Sequence, residues 1–518
     1  MRRMMRAALA LMLTALVSQP ALARSIDGEP VVVTLPAGAL EGRAKDGVEG
    51  FAGIPYVAAP VGEQRWRPPA PAAAWPGVRP ATAFGADCPQ VRFDGDATPS
   101  TQPMSEDCLF LNVWRPAKAR KLPVMVYIHG GAFVAGSAAS PTIDGANLAR
   151  RGVVVVNFNY RLGRFGFFAH PALSAKAGGK PDANFAFLDM IAALQWVRAN
   201  ADAFGGDPGN VTIFGESAGG AAVDFLMASP LAHGLFHKAI VMSGANREPY
   251  AQLSTDRPAR ISAEKASIAF AAKAGLANPD AAALRALSAD AVQGQLAFWD
   301  LQADRFTGPV IDGKSVLADP VERFVAGAVP KIPFLIGTTG AELSEETFAP
   351  VMIDYLKSQN DAAALAELTK VYGDPLPAKL VDHYYFTEAA RGFARMMQAH
   401  GAPAWLYVFD HVAESDRAKR KGAAHTSELA YLFGNLPAAA GASDRAASKL
   451  MGDYWTNFAK HGHPNGRGLP DWPQLGRFDN LLLFREGSAT IEQKRDAGRL
   501  DAVERAATMR RAKEKTTP

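Results

Sequence analysis

Gly215-Glu216-Ser217-Ala218-Gly219 follows an apolar, β-branched run, Val211–Phe214, and precedes a stretch of small residues with helical character. Glycines on both sides of the serine let a strand and a helix approach closely, while the serine lies on a strained, exposed turn. The start of a helix also favours negative charge that develops beside it. The pattern therefore predicts a strand–turn–helix unit that presents Ser217 as a nucleophile, rather than an ordinary glycine-rich turn.

Short apolar runs alternate with helical stretches along the rest of the chain, which is the pattern of a mostly parallel sheet covered on both faces. Buried strands are predicted at Val124–Ile128, Val153–Asn159, Val211–Phe214, Ala239–Met242, Phe334–Ile336 and Ala404–Phe409. Apolar residues from Phe185 to Trp196 recur at helical spacing and predict a crossover helix. Helical patterns also fill much of 258–300, 343–370, 386–400 and 444–461. The long helix-rich stretch 245–330 is expected to lie over the site, outside the sheet.

A second glycine-rich segment, His129-Gly130-Gly131-Ala132-Phe133, follows the predicted strand Val124–Ile128. An acyl-transfer intermediate carries an oxyanion that needs hydrogen-bond donors, and glycines allow backbone N–H groups to turn toward it. The N–H groups of Gly131, Ala132 and Ala218 are therefore predicted to form an oxyanion hole. His129 belongs to the loop whose backbone does this work, so a structural role is favoured over that of a base.

The first 23 residues have the composition of a secretory signal peptide. Arg2, Arg3 and Arg6 precede the apolar run Ala7–Val17, and the small-residue site Ala21-Leu22-Ala23 follows. We expect cleavage after Ala23 and a secreted or periplasmic protein. The alternative, a membrane anchor, is weaker because a spanning helix needs about 20 apolar residues.

The charge balance argues against a nucleic-acid partner. Lys and Arg total 55 and Asp and Glu total 51, and loss of residues 1–23 would lower the formal charge from +4 to +1. Such a chain has no net field that attracts phosphates. The basic segment Arg510, Arg511, Lys513 and Lys515 is interpreted as a solvated helix end and tail, not as a partner site.

Cys88 and Cys108 are the only cysteines. In an exported chain a single disulfide is the simplest explanation, and two buried free thiols are the alternative.

Several further motifs resemble the type-B carboxylesterase and cholinesterase family, in order from about residue 31 to 475. They are Glu106-Asp107-Cys108-Leu109-Phe110-Leu111-Asn112, Asn159-Tyr160-Arg161-Leu162-Gly163, Phe204-Gly205-Gly206-Asp207-Pro208, Pro309-Val310-Ile311-Asp312-Gly313 and Asn457-Phe458-Ala459-Lys460. The resemblance implies an α/β-hydrolase fold, with a mostly parallel central sheet flanked by helices and with helical insertions on the cap side. Residues 24–518 are then expected to form one catalytic domain.

The same resemblance implies a serine, glutamate and histidine triad. The histidine falls on His425, in a segment that resembles the family's Gly-x-x-His-x-x-Glu-Leu pattern, and the acid falls on Glu342. Leu343 departs from the family, which usually places glycine after this acid. Ser243 resembles a serine that supports the acid and the base by hydrogen bonding, although a strand-end serine is an equal alternative.

Other acids near Glu342 are assigned no catalytic role. Glu345 and Glu346 are expected in the first turn of a following helix, where acids favour the helix dipole. Asp312 is interpreted as part of a structural turn.

These residues predict hydrolysis of a small-molecule ester through an acyl-enzyme, with no metal, no cofactor and no stable membrane anchor. An amidase or lactonase could use the same groups, and a catalytically silent adhesion module is the alternative from another class. Phe93 is the only aromatic residue between the two cysteines, which disfavours a quaternary-ammonium substrate. Ala132, where the family commonly has a third glycine, is expected to narrow the acyl side. His461-Gly462-His463 lacks the cluster that a metal site requires.

Overall fold

The structure is a computed structural model, and it describes residues 24–93, 95–174, 179–257, 260–297, 306–347 and 349–516. The predicted signal peptide, residues 1–23, lies outside the described residues.

The strands form one large sheet and one small one. They are β1 Glu29–Leu35, β2 Gly38–Lys45, β3 Val48–Pro55, β4 Val78–Pro80, β5 Phe110–Pro116, β6 Leu122–Ile128, β7 Val154–Phe158, β8 Gly206–Glu216, β9 Lys238–Met242, β10 Ala251–Gln252, β11 Val310–Ile311, β12 Phe334–Thr339, β13 Ala404–Phe409, β14 Leu481–Arg485 and β15 Ser488–Glu492. The large sheet has the order β1-β2-β3-β5-β7-β6-β8-β9-β12-β13-β14-β15, with β4 beside β2, and β10 pairs with β11 apart from it.

Helices cover the sheet and fill its long connections. They are α1 Ala146–Ala149, α2 Gly163–Gly166, α3 Phe185–Asn200, α4 Ala218–Ala228, α5 Ala263–Lys273, α6 Ala281–Arg285, α7 Ala289–Gln293, α8 Pro320–Val325, α9 Ala349–Gln359, α10 Ala362–Tyr372, α11 Lys379–Asp382, α12 Glu388–Ala399, α13 Glu428–Phe433, α14 Ala442–His461 and α15 Ala497–Thr516. Residues His383–Thr387 form a π-helical turn that joins α11 to α12.

The centre of the large sheet is parallel. Strands β7, β6, β8, β9, β12, β13 and β14 pair in parallel, and β7, β9, β12 and β13 are buried along their whole length. Parallel strands are covered on both faces, so they carry continuous apolar runs. All six predicted strands are confirmed. Strand β12 extends beyond the predicted end to Thr339.

The antiparallel margins of the sheet were not predicted. β1 pairs antiparallel with β2, β2 with β3, and β15 with β14, and β1 exposes most of its residues, including Val32. Strands with one solvated side mix polar and apolar residues, so the continuous apolar runs of the central strands are missing from them.

Segment 245–330 lies outside the large sheet, as expected, in the described residues. It contains the two-stranded pair β10–β11 and helices α5 to α8.

A satellite cluster of helices packs beside the end of β12. Its buried members are Ile353, Leu356, Ala364, Leu368, Leu380, Val381, Tyr384, Val503 and Ala506. They come from α9, α10, α11, the π-helical turn and α15. Helix α15 thereby completes a core that begins just after Glu342, since Leu343 packs against the same cluster.

The interpretation of the basic segment at 510–515 as a solvated helix end is wrong for its first two residues. Arg510 is 7% exposed, and its guanidinium pairs with Glu248 and contacts the Tyr384 hydroxyl. Arg511 pairs with Asp319 at 3.4 Å. These arginines attach α15 to the segment that follows β9, because their charges pair with the carboxylates of Glu248 and Asp319.

Cys88 and Cys108 form a disulfide, so the alternative of two free thiols is wrong. Across the described residues, none of the helices combines the length and apolar character needed to cross a membrane.

Candidate active site

Ser217 lies between β8 and α4 on a sharp turn, with φ of 55° and ψ of −123°. Its neighbours must be small: a Cβ on Gly219 would lie 2.0 Å from the Ile128 carbonyl oxygen, and one on Gly215 would lie 2.4 Å from the Gly219 carbonyl. Only glycine allows the helix to pass this close to β6 and β8. The strained backbone directs Ser217 away from the core at the carboxyl end of the sheet, as the motif predicts.

Ser217, His425 and Glu342 are joined in one chain of hydrogen bonds. His425 Nε2 lies 3.0 Å from Ser217 Oγ, and His425 Nδ1 lies 2.6 Å from Glu342 Oε2. Glu342 is fully buried, whereas the His425 side chain is 19% exposed. The structure brings together three residues that lie far apart in the sequence, in the geometry of a nucleophile, a base and an orienting acid.

Glu342 and His425 sit on neighbouring loops that are tied through their backbones. The Ala341 N–H donates to the Ala423 carbonyl at 2.8 Å, and the His425 N–H donates to the Glu342 carbonyl at 3.1 Å. The second carboxylate oxygen of Glu342 accepts the Thr339 N–H at 2.7 Å. Thr339 lies in the part of β12 that extends beyond the predicted strand. Glu342 is therefore bonded to the sheet through one carboxylate oxygen and to His425 through the other.

The other acids near this turn contact different partners. Glu345 and Glu346 lie in the turn before α9, so their expected place in its first helical turn is wrong. Glu345 accepts the Lys421 N–H at 3.2 Å, and Glu346 pairs with Arg420 at 2.9 Å. Asp312 is buried and accepts the N–H groups of residues 314 and 316, as a turn residue does. None of the three approaches His425 within hydrogen-bonding distance in the described chain.

The glycine-rich loop, residues 129–133, lies directly beside the elbow, which is the turn at residues 215–219 that carries Ser217. A Cβ on Gly130 would lie 3.1 Å from the Ser217 Cβ, which places the loop against the serine. Gly131 and Ala132 have φ of 98° and 52°. Within the described chain, the N–H groups of Gly131, Ala132 and Ala218 donate to no protein acceptor. The three amides predicted for an oxyanion hole are therefore available to a ligand.

His129 is buried and braces this loop. Its ring stacks on Tyr160 with centroids 4.4 Å apart, and its Nδ1 lies 2.9 Å from the Gly130 carbonyl. The Tyr160 hydroxyl donates to the His129 carbonyl at 2.8 Å. Burial lowers the pKa of His129 to about 4, so the ring is neutral at physiological pH. This environment suits a structural residue.

Two further carboxyl groups, which sequence reasoning did not single out, surround His425. Glu216 Oε1 lies 3.4 Å from His425 Nε2, and Glu428 is fully buried nearby. Burial raises the pKa of Glu216 to about 8 and that of Glu428 well above its usual value. Both residues stand inside the motifs already quoted, Glu216 before the serine and Glu428 three residues after the histidine. Their place in these motifs is the sequence signal that could have identified them as neighbours of His425.

The pKa of His425 reflects opposing effects. Burial disfavours the imidazolium, but the carboxylates of Glu216 and Glu342 outweigh it and raise the pKa to about 9. The site is therefore built to stabilise a proton on His425 once the imidazole has accepted one.

Ser243 supports the sheet rather than the site in the observed geometry. Its N–H donates to the Gly337 carbonyl at 2.8 Å, which links β9 to β12. Its hydroxyl is buried and makes no hydrogen bond to any described residue. The expected hydrogen bond to the acid or the base is not formed among these residues.

Aromatic rings pack against His425 and around Phe133 of the glycine-rich loop. Phe386, on the π-helical turn, lies 5.2 Å from the His425 ring. Phe133 packs edge-on against Phe167 and Phe187 at 5.3 and 5.9 Å. His425 and the glycine-rich loop therefore each have aromatic neighbours.

Metal ligation has no support in the described residues, where no group of three or more His, Cys, Asp or Glu side chains could hold an ion. His461 and His463 stack with ring centroids 5.7 Å apart, at the end of α14.

Comparisons with known proteins converge on one family. A model described as the carboxylesterase family matches residues 29–372 and 374–502. The fumonisin B1 esterase of Sphingopyxis macrogoltabida is 35% identical over 498 residues, covering 89% of this chain and 88% of that protein. The para-nitrobenzyl esterase of Bacillus subtilis (strain 168) is 37% identical over 490 residues, covering 89% and 96%. A solved structure of a thermophilic PNB esterase has a TM-score of 0.81 at 33% identity, covering 91% of this chain and 99% of that one.

Proposed function

The chain belongs to the carboxylesterase family, has the α/β-hydrolase fold and is a carboxylic-ester hydrolase, and from this premise we propose that Ser217, His425 and Glu342 are its catalytic triad. One observation carries the proposal: the continuous hydrogen bonds from Ser217 Oγ through His425 to Glu342, at 3.0 and 2.6 Å. A serine hydroxyl is a weak nucleophile until a base removes its proton, and His425 is in place to do so.

In the first half of the reaction, the Ser217 oxygen attacks the ester carbonyl carbon while His425 Nε2 takes the hydroxyl proton. The carbonyl oxygen becomes an oxyanion, which accepts hydrogen bonds from the amides of Gly131, Ala132 and Ala218. His425 then gives its proton to the leaving alkoxide oxygen, the carbon–oxygen bond breaks, and the alcohol departs. The acyl group remains bonded to Ser217.

In the second half, water repeats the sequence. His425 takes a proton from water as the water oxygen attacks the acyl carbon, and the same amides hold the oxyanion. Collapse of the intermediate breaks the bond to Ser217 Oγ, which recovers the proton from His425. Glu342 keeps the Nδ1 proton of the imidazole in place and stabilises the imidazolium in both halves.

The substrate is a small-molecule ester with an apolar acyl or alcohol part. Phe386 and Phe133 supply the apolar walls, and the segment between the cysteines offers no aromatic cage for a quaternary ammonium group. The methyl group of Ala132 stands beside the oxyanion amides and narrows the space on the acyl side.

The chain is exported and cleaved after Ala23, and residues 24–518 form one hydrolase domain. The disulfide between Cys88 and Cys108 favours an oxidising compartment, and β1 and β15 join the same sheet. Sequencing the amino terminus of the mature protein tests the cleavage site.

The experiment for the proposed triad uses Ser217→Ala. Loss of a triad member typically lowers kcat by about 10⁴-fold or more. The half-buried hydroxyl of Ser217 lies outside the core, so its loss should leave the fold intact. The variant should fold, lose ester turnover and resist labelling by a fluorophosphonate, whereas the wild type is labelled. Retention of a tenth of the wild-type activity would contradict the assignment, and a wild type that never takes the label would favour a recognition module.

A further inference from the structure

The turn that carries Glu342 is held by a residue about 40 positions further along the chain. Asp382, the last residue of α11, is fully buried. Its Oδ1 accepts the N–H groups of Leu343 and Ser344 at 2.8 and 2.9 Å, and its Oδ2 accepts the Ser344 hydroxyl. Three donors directly after the acid thus converge on one carboxylate.

Lys379 extends this contact to the other side of the acid. It lies one helical turn before Asp382, and its ammonium is 3.0 Å from Asp382 Oδ2. The same ammonium donates to the Gly340 carbonyl. Together Asp382 and Lys379 bond to residues 340, 343 and 344. They therefore hold the chain both before and after Glu342.

We infer that Asp382 is a positioning residue for catalysis, which fixes the turn at residues 340–344 (the acid turn) so that Glu342 stays within hydrogen-bonding distance of His425. The inference rests on the proposed function, because it needs Glu342 to be the acid that orients the base. It also accounts for Leu343. A side-chain carboxylate anchors the backbone at the position where family members usually have the more pliable glycine.

The local contacts explain why loss of Asp382 would reach the site. The Glu342 carboxylate has one backbone donor, Thr339, and its own carbonyl is bonded by the His425 N–H. If the turn after Glu342 relaxes to find new partners for two partly buried amides, the backbone of the acid moves with it. A shift of about 1 Å in a catalytic group can cost on the order of 10²-fold in rate.

The test compares Asp382→Asn and Asp382→Ala with the wild type on a soluble chromogenic ester. We expect kcat to fall by about 10-fold and about 10²-fold, with KM nearly unchanged, because the substrate pocket is not touched. The ascending limb of the pH profile should also move to lower pH, because a displaced Glu342 carboxylate no longer raises the pKa of His425. Ser344→Ala, which removes a single bond, provides a milder variant if Asp382→Ala fails to fold.

Asp361→Asn is the matched control. Asp361 caps α10 in the same helical cluster by accepting the Ala364 N–H at 3.0 Å, and it contacts no residue of the acid turn. Because asparagine caps a helix about as well as aspartate, this change should preserve the cap and leave kcat and the pH profile as in the wild type. A purely structural Asp382 would behave like this control, and that result would overturn the inference.

A double variant shows whether Asp382 acts through the acid. In a Glu342→Gln background, Asp382→Asn should lower kcat no further, since the two changes remove the same function. An equal loss in both backgrounds would overturn the inference while leaving the proposed triad intact. If Glu342→Gln alone keeps full activity, the proposed acid is wrong. Failure of the inference about Asp382 and failure of the proposed triad therefore give different results.

Discussion

At the scale of single residues, the identity of the acid can be decided by substitution. Glu342→Gln should keep the fold and lower kcat by up to about 10⁴-fold, because a neutral amide neither fixes the tautomer of His425 nor stabilises its charge. Glu345→Gln and Glu346→Gln should turn over esters normally, since these acids contact Lys421 and Arg420. Steady-state kinetics of the three purified variants measures this, and normal turnover by Glu342→Gln together with a defect in either neighbour would reassign the acid.

The pH dependence of kcat/KM should report the carboxyl groups around His425. The base must be neutral to accept the serine proton, so activity rises with pH through the raised pKa of His425, which lies above its usual 6.5. Glu216 helps to raise that pKa, and Glu342 and Glu428 act in the same direction. Glu216→Gln should therefore move the ascending limb to lower pH.

Kinetic profiles from about pH 5 to 10 measure the shift around the pKa of histidine. Glu345→Gln, whose side chain faces Lys421 instead, serves as the control and should leave the limb in place. A limb that stays fixed in Glu216→Gln would mean that Glu216 does not act on the base.

Residues inside local motifs were accessible to sequence reasoning, and residues that act across the fold were not. Ser217 and the glycine-rich loop follow strands directly, so spacing places them at the end of the sheet. His425 and Glu342 required the family resemblance. Asp382 reaches the acid turn from a separate helix, so no local pattern marks its role. The raised pKa of Glu216 comes mainly from burial, which its place in the Ser217 motif does not reveal.

At the scale of elements, buried strands and long helices were predictable, whereas the margins were not. The central strands read as continuous apolar runs because helices cover both of their faces. The antiparallel margins expose one side and lose that signal. The prediction that the basic end of α15 is solvated was wrong for a related reason. A run of arginines is typical of a solvated helix end, yet Arg510 is buried and pairs with Glu248.

Arg510 gives the element-scale prediction. Arg510→Met would leave Glu248 without its buried partner, and breaking such a pair costs about 3–5 kcal/mol of unfolding free energy. Arg505→Met removes an exposed pair with Glu367 from the same helix and should cost at most about 1 kcal/mol. Urea unfolding followed by circular dichroism compares the two, and equal midpoints would show that Arg510 does not anchor α15.

At the scale of the whole molecule, one covalent bond constrains the chain near its amino-terminal strands. The disulfide closes a loop between positions 20 residues apart, and both cysteines are buried. Replacing both by alanine should lower the unfolding free energy by about 3 kcal/mol in the chain-entropy model. Guanidinium titration of both proteins, with and without a thiol reductant, checks this, because the reductant should destabilise only the wild type.

The position of α15 in the satellite cluster has a consequence for biosynthesis. During translation the elbow, the oxyanion loop and the central strands emerge before α15, and a domain generally folds as a unit. The cluster that contains α11, and with it the brace on Glu342, is complete only when Val503 and Ala506 have docked. We therefore expect a chain whose α15 has not yet docked to hold its nucleophile without a fully braced acid, and to reach full hydrolytic activity only when folding is complete.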